Sequence, residues 1–593
     1  LLSVLTLGSG SAWAQTAPSA TPADSGAASD EETIVLSPFV VDASEDAGSY
    51  QATATLAGSR VRTDLRDVGS AISVVTEQFL RDTGATNNQT LLQYTTSTEV
   101  SGIGGNFAGL GNGKTLDDTA QRLAPNENTR VRGLSAADNT RDFFLTDIPW
   151  DSFNVGRVDL QRGPNAILFG IGKPAGIINS SINGANFKEG GSFEGRFGSY
   201  GSLRGTLDYN KVLLPDELSL RISALDDNTK YRQKPAYNHD QRIFGSLRFD
   251  PKLLRINGAR TSFHMNYEAG EIKANRPRLL PPGDLITPWW TDPSLAAIRN
   301  AGGMNPLTLG VSDGPTIAAL RAAGDLGAGV RGTDADYYNQ KIGSFGRNYG
   351  GIVAVYAEPT TPYSALITTD VPKNVTSILT MPWTTMSGVI ARKDLEGVLQ
   401  NKPNYDFYHD ETLQDPSIFD FYNKLLDGPN KREWSRHDAF NAALSQTFFD
   451  NRLGIEAAVD VQHVRRGQVN LLSEFGQAIT LDMNNHLVDG SVNPNYGKAA
   501  SISDQYANYS YESTRKAGRL TGYGELRAED VLGKNILSRI LGKHVFNAMI
   551  SKEDFSTENR SWMRYAADMG YGLDVLADSL LRDRGVNTLN YLS

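Results

Sequence analysis

Beyond Lys188 the chain settles into an alternation with a period of two, and that pattern limits the possible folds more than any other feature. Leu203, Gly205, Leu207 and Tyr209 alternate with Arg204, Thr206, Asp208 and Asn210, and Leu218, Leu220 and Ile222 with Ser219, Arg221 and Ser223. The dyad recurs at Ile243 to Phe249, at Phe263 to Tyr267 against His264 and Asn266, and at Leu453 to Val461 against Glu456, Asp460 and Gln462. Successive side chains of a strand point to opposite faces, so each segment has one apolar and one wettable face. Runs of roughly ten residues with this pattern suit the wall of a membrane barrel, apolar towards lipid and polar towards the lumen. With Phe193, Phe440 to Phe448, Leu520 to Arg527 and Val545 to Ser551, about nine such strands can be counted, whereas single-chain bacterial barrels close with even numbers of strands, the larger ones with about 22. The encoding gene is therefore expected to continue past Ser593.

Composition narrows the alternatives. No window holds the eighteen or so apolar residues of a membrane helix and mean hydropathy is −0.35, so any crossing must be made by strands. The absence of cysteine removes disulfides and thiolate chemistry, and a net charge of −10 without a basic block argues against nucleic acid as a partner. Histidines such as His239, His437 and His463 lack metal-ligand spacing, and Asp117-Asp118 and Asp226-Asp227 read as solvated loop ends. No catalytic residue, metal or cofactor is expected. Ala108 to Thr115, AGLGNGKT, fits a relaxed phosphate loop but lacks the hydrophobic strand before it and the long helix after it. Gly170-x-Gly172-x-x-Ala175 echoes a dinucleotide turn without a second βαβ unit.

The N-terminal part reads as delivery. Leu1 to Leu7 is apolar and Ala12-Trp13-Ala14 has the small-x-small form of a cleavage site, so residues 1–14 are expected to be a signal peptide, clipped at its start. Residues 15–48 form a flexible tether, rich in Ala, Pro, Ser and Thr from Gln15 to Asp30. Within it, Glu32, Thr33, Ile34, Val35 and Leu36 form a β-branched run suited to joining another protein's sheet edge; a first strand of the next domain is the other reading. Residues 49–188 look mixed α/β. The expected elements are a strand from Ser70 to Val75, a helix from Glu77 to Asp82 capped by Thr76, a second helix from Thr90 to Tyr94, and a glycine-rich loop from Ser101 to Lys114.

At the end of this domain, Arg157 to Asn179 reads RVDLQRGPNAILFGIGKPAGIIN. Val158 and Leu160 alternate as in a strand, Gly163 breaks it, Pro164 pre-sets a helical turn filled by Asn165 to Phe169, and Gly170 ends that turn. The segment resembles the signature of the plug domain in TonB-dependent outer-membrane receptors, with Asp159 where Glu is common and Phe169 where Tyr is common. Upstream, TRVRGL, with Arg130, Arg132 and Gly133, is similar to a plug strand, as is FFLTDIPW from Phe143 to Trp150. The matching signature positions are Arg130, Arg132, Gly133, Arg157, Arg162, Gly163, Pro164, Gly170 and Asn179.

The resemblance implies a mixed α/β plug followed by the first part of an antiparallel transmembrane β-barrel over residues 189–593. It implies a receptor, not an enzyme, that binds a scarce extracellular solute and imports it into the periplasm. Ferric siderophores are the commonest solute of the family, and other metal chelates, cobalamin and oligosaccharides stay open. Glu32 to Leu36 would be the TonB box, with TonB and its inner-membrane complex as partner and outer-membrane lipid around the wall. Phe107, Asn139, Arg141, Trp150 and Phe153 lie in segments resembling the plug's outer loops and are the candidate solute contacts. Short turns at Leu214 to Glu217 and Phe449 to Arg452 belong on the periplasmic side, and the long connection from Glu271 to Glu433 outside. Arg60, Arg62, Arg130, Arg132, Arg157 and Arg162 are expected to hold the plug to wall carboxylates through pairs that water loosens, about 0 to 1 kcal/mol each. The competing reading is an exported β-rich polysaccharide-binding protein or enzyme, a soluble sandwich with polar outward faces.

Overall fold

The computed structural model describes residues 38–40, 46, 48–101, 128–163, 172–256, 258–279, 412–472, 478–482, 492–502 and 508–562, with short pieces between and at 589–592. Leu1–Leu36 separate as a unit of their own, outside the described residues, and the plug and the wall both belong to the unit Ser37–Ser593.

The plug begins with two short paired strands, β1 (Ala54–Thr55) and β2 (Thr63–Asp64). β3 (Ala71–Thr76) runs into α1 (Glu77–Thr83), where Thr76 Oγ1 accepts from Phe79 N at 3.4 Å and Gly84 ends the helix at φ 70°. The second helix, α2 (Asn88–Leu91), starts two residues before the expected Thr90. Asn87 accepts from Thr90 N and the Thr90 hydroxyl answers the Asn87 backbone, so Thr90 closes a capping box inside the helix instead of opening it. β4 (Thr98–Val100) pairs with β5 (Thr129–Val131), and β5 stops because Arg132 and Gly133 both take positive φ.

β6 (Asp138–Arg141) and β7 (Phe144–Leu145) form a tight hairpin with Asp142 and Phe143 as its two turn residues at φ 48° and 61°. FFLTDIPW therefore contributes only Phe144–Leu145 as strand. β8 (Val155–Arg162) and β9 (Gly176–Ile182) complete a five-stranded sheet in the order β3-β8-β9-β6-β7, with β6 and β9 parallel. Its core packs Leu80 and Leu91 of the helices on Val155, Val158, Leu160 and Ile178 of the sheet. The helical turn expected at Asn165 to Phe169 lies outside the described residues.

The wall is a nine-stranded antiparallel sheet with strands in chain order: β10 (Gly190–Gly198), β11 (Ser202–Leu214), β12 (Leu218–Lys230), β13 (Tyr237–Phe249), β14 (Arg260–Asn275), β15 (Arg432–Phe448), β16 (Leu453–Val469), β17 (Asn508–Arg527) and β18 (Lys543–Trp562). Two short helices, α3 (Ala528–Leu532) and α4 (Ile536–Leu541), sit in the β17–β18 connection. Residues that face each other across the register share a face. Tyr209 opposite Ile222, Phe263 opposite Leu444, and Leu520 opposite Ile550 build an outward apolar face on which Ile243 is 57% exposed. The inward face carries Arg242, Glu268, Asn441, Asp460 and Gln462, all buried against the plug. An apolar exterior around a polar interior is the reverse of a soluble sandwich, and it removes that competing reading. Short turns at 215–217 and 449–452 share one rim with the strand ends that bound 250–259 and 528–542; the strand ends at Asn275, Arg432, Val469 and Asn508 lie on the other.

Candidate functional site

Two of the signature residues, Arg157 and Asn179, meet through Asp159 in one buried polar network. Arg157 donates to Ala54 O at 2.7 Å and reaches Asp46 and Asp159 at 3.3 and 3.4 Å. Asp159 also accepts from Thr55 Oγ1 at 2.9 Å. Asn179, fully buried, accepts from Thr140 Oγ1 at 2.9 Å and Phe143 N at 2.8 Å. The network ties β1, β6, β8 and β9 together, which accounts for polar residues inside a strand buried along most of its length. Arg162 donates to Ser73 Oγ at 2.8 Å and Thr96 O at 3.1 Å. Gly176 has φ 106°, and a Cβ there would stand 2.0 Å from Gln161 O, so only glycine fits. Burial pushes the Asp46 and Asp142 carboxyls above their ordinary values and lowers the Arg60 guanidinium.

The expected loose arginine pairs need correction. Among the described residues Arg60 does approach the wall, at 3.9 Å from Glu456, but Arg157 and Arg130 pair inside the plug, with Asp46 and Asp159, and with Glu99. The seam with the wall is built mostly by residues 141–154. Thr146 Oγ1 donates to Gln462 Oε1 at 2.6 Å, Asp147 accepts from Ser513 Oγ at 2.9 Å, and Asp151 takes a two-point contact from Arg204 at 2.6 and 3.0 Å. At its centre lies Glu268. Its Oε2 accepts from the plug, from Arg141 Nη1 in a very short contact and from Asn154 Nδ2 at 2.6 Å. Its Oε1 faces the wall, with His437 Nε2 at 3.1 Å and Arg242 Nη1 at 3.7 Å. These pairs are almost wholly buried, so the arithmetic of solvent-loosened pairs does not apply.

Between the plug's residues 86–89 at the start of α2, its 149–151 loop and the long-loop half of β12 to β14 lies a cavity of about 380 Å³. Asn87, Trp150, Asp240, Arg242, Tyr231 and Arg276 are among the side chains lining it. Arg242 holds Asp240 through two contacts at 2.8 and 2.9 Å and donates to Pro149 O at 2.7 Å. Ionised groups of both signs, an indole and a phenol converge on a space large enough for a small organic molecule, an arrangement that fits non-covalent capture. One step below the cavity floor Arg242 meets Glu268, so the cavity and the plug's central anchor share a residue.

Of the candidate solute contacts, Trp150 borders this cavity while its Nε1 donates to Asn88 Oδ1 at 2.6 Å. Asn139 is tied to Asn88 at 2.7 Å, Arg141 is committed to Glu268, and Phe153 packs on Leu225 and Phe244 of the wall. Arg141 and Phe153 therefore belong to the plug–wall seam in this structure. Phe107, Pro164, Gly170 and Glu32 to Leu36 lie outside the described residues. Sequence reasoning missed Glu268, Asp151, Arg204, Asp240 and Arg242. The dyad marks the wall residues among them as inward, but nothing local says what stands opposite.

Residues 64–177 match the family model described as TonB-dependent Receptor Plug Domain. The catecholate siderophore receptor Fiu of Escherichia coli (strain K12) is 29% identical over 210 residues, 35% of this chain and 26% of that protein. The metal-pseudopaline receptor CntO of Pseudomonas aeruginosa is 26% identical over 198 residues, 33% of this chain and 25% of that protein. The chain thus spans, in these matches, about a quarter of the length of its curated relatives. The solved pyoverdine outer membrane receptor FpvA from Pseudomonas aeruginosa PAO1 superposes with a TM-score of 0.49 at 13% identity, over 90% of this chain and 53% of that one.

Proposed function

We propose, from the premise that this chain is a TonB-dependent receptor with its plug at residues 64–177, that it captures a ferric siderophore outside the cell and passes it into the periplasm. The observation that carries this reading is the cavity between plug apex and wall, lined by Arg242, Arg276, Trp150 and Tyr231. Guanidinium groups and aromatic faces suit the acidic oxygens and rings of a chelate, and the carboxylates that share the lining, Asp151, Asp227 and Asp240, are themselves paired with Arg204 and Arg242. The relatives point the same way, being receptors for catecholate siderophores and metal-pseudopaline. The rim of long loops then faces outward, and the rim of short turns faces the periplasm. Solute in the cavity competes for Asp240 and Arg242, and Arg242 stands beside the Glu268 anchor. Glu32 to Leu36 pairs as an added strand with TonB, and pulling on it draws on a plug whose anchors have been weakened. No bond of the solute is made or broken.

The test is binding of iron-labelled ferric catecholate to outer membranes carrying the full-length protein. Arg276→Ala is expected to weaken binding at least tenfold while the amount of receptor stays constant. Unchanged affinity in Arg276→Ala and in Tyr231→Ala would remove the cavity from the reading. Full-length protein that never supports iron-limited growth on a ferric chelate would remove the solute class.

A further inference from the structure

The connection between β17 and β18 carries an apolar surface that neither the plug nor the nine described wall strands cover. Val531 is 70% exposed, Ile536 77% and Ile540 75%, and Leu537 is exposed beside them. Ile536 and Ile540 are one helical turn apart, so they share a face of α4. The surface is not frayed. Asn535 accepts from Ser538 N at 2.8 Å and its own backbone N donates to Ser538 Oγ at 2.9 Å, a complete capping box. Ala528 N donates to Gly542 O at 2.9 Å and closes the base of the turn, and Arg452 of the neighbouring turn pairs with Asp530 at 2.7 Å. Caps and an inter-turn ion pair thus hold isoleucines out of the fold, where contact with water is unfavourable for each large apolar side chain.

The occupant that best removes this cost is the membrane surface itself. The turn grows out of the wall's outward apolar face, whose last members on this rim include exposed Leu453, Leu526 and Phe546. Lys534 lies between the helices and Arg539 within α4, and a basic side chain next to an apolar face can carry its charge to phosphate while its stem stays in the apolar boundary. We infer that α3 and α4 form an interfacial anchor, with Val531, Ile536 and Ile540 set into the headgroup boundary of the phospholipid leaflet on the short-turn rim. The inference rests on the sheet being a membrane wall. An anchor there would hold β17 and β18 at a constant depth while force is applied to the plug.

Because the chain has no cysteine, a nitroxide attached to one introduced thiol reports one position. The experiment places it at Ile536→Cys, Ile540→Cys, Lys534→Cys and, as wall reference, Ile243→Cys in the full-length protein, in phosphatidylethanolamine–phosphatidylglycerol vesicles. Oxygen is expected to collide with the labels at 536, 540 and 243 several-fold more often than a water-soluble nickel chelate does, with the reverse at 534. Nickel reaching 540 as readily as 534 would overturn the inference in favour of a water-facing turn. Exclusion of both reagents at 536 and 540 would overturn it in favour of a covering protein segment. Loss of the lipid signature at 243 would instead remove the wall reading, and this anchor with it.

Discussion

Replacing Glu268 by alanine is the sharpest test of how the plug is held. The carboxylate is buried, and it is the acid that neutralises Arg141, whose side chain is 5% exposed. Its removal leaves a guanidinium uncompensated in the seam, strips Asn154 of its acceptor, and leaves Arg242 and His437 facing an empty site. Breaking a buried pair from one side costs about 3–5 kcal/mol. At about 1.4 kcal/mol per factor of ten, that is a rise of roughly a hundred- to a thousandfold or more in the open population of the plug. Amide hydrogen exchange of the full-length protein reads this population directly where closing outpaces exchange. Protection of Asp138–Arg141 and Val155–Arg162 is expected to fall by that factor in Glu268→Ala, with little change in Leu218–Lys230 of the wall. Glu77→Ala is the control: its pair with Arg81 has side chains 41% and 54% exposed, and losing it should cost about 0 to 1 kcal/mol. The double change Glu268→Leu with Arg141→Leu should recover part of the loss, since it removes the stranded Arg141 charge while Asn154 and His437 stay without this acceptor. If Glu268→Ala exchanges no faster than Glu77→Ala, this carboxylate does not hold the seam.

Three further outcomes are expected. Ile34→Pro in the coupling segment should abolish energised uptake while surface binding and barrel assembly persist, because proline cannot donate to a partner's sheet edge; Ile34→Ala should do less harm, and wild-type uptake by Ile34→Pro would exclude the segment. Gly176→Ala should destabilise the plug by roughly 1–3 kcal/mol or more, read as protease cleavage of the plug at lower denaturant, because of the positive φ and the clash with Gln161 O. Asp142 concerns pH. Burial raises its folded value above 3.8, so the native plug takes up this proton more readily than the unfolded chain. Its contribution is then fully present below 3.8 and is lost as pH rises through the folded value. Asp142→Asn keeps the acceptor for Ile182 N and the turn's positive φ. Its stability advantage over the parent should therefore grow as pH rises above 3.8 towards the folded value in paired denaturation curves, and parallel curves would remove the assignment.

Much of the architecture was legible because it is repetitive. Leu207, Ile222 and Ile243 alternate with Asp208, Ser223 and Phe244, and a period of two fixes which side chains share a face whatever lies beyond the sheet. Phe244 shows the limit of that rule: it is inward and apolar, and the reason is Phe153 of the plug, 91 positions earlier in the numbering (244 − 153) and packed against it. Local chemistry was readable too. Thr76 caps α1 because the hydroxyl and the helix it serves are neighbours, whereas Thr90 misled because its role as third residue of a capping box depends on the Asn87 side chain answering it.

What only tertiary structure decided is which charges meet. Arg157 and Asp159 lie in the plug signature, and Arg157 was expected to reach a wall carboxylate, yet the two close a buried network inside the plug with Thr55 and Asn179. Arg141 lies in a segment that resembles a solute-facing loop, but Glu268, 127 positions away, claims it. A buried ion pair balances an attraction strengthened by the exclusion of water against the cost of desolvating both charges, and both depend on the assembled seam. The amino-acid sequence determined by itself that there would be a wall with one wet and one greasy face and a domain to fill its wet side. Where that domain grips the wall, and where a cavity remains between them, depended on the distance between residues far apart in the chain.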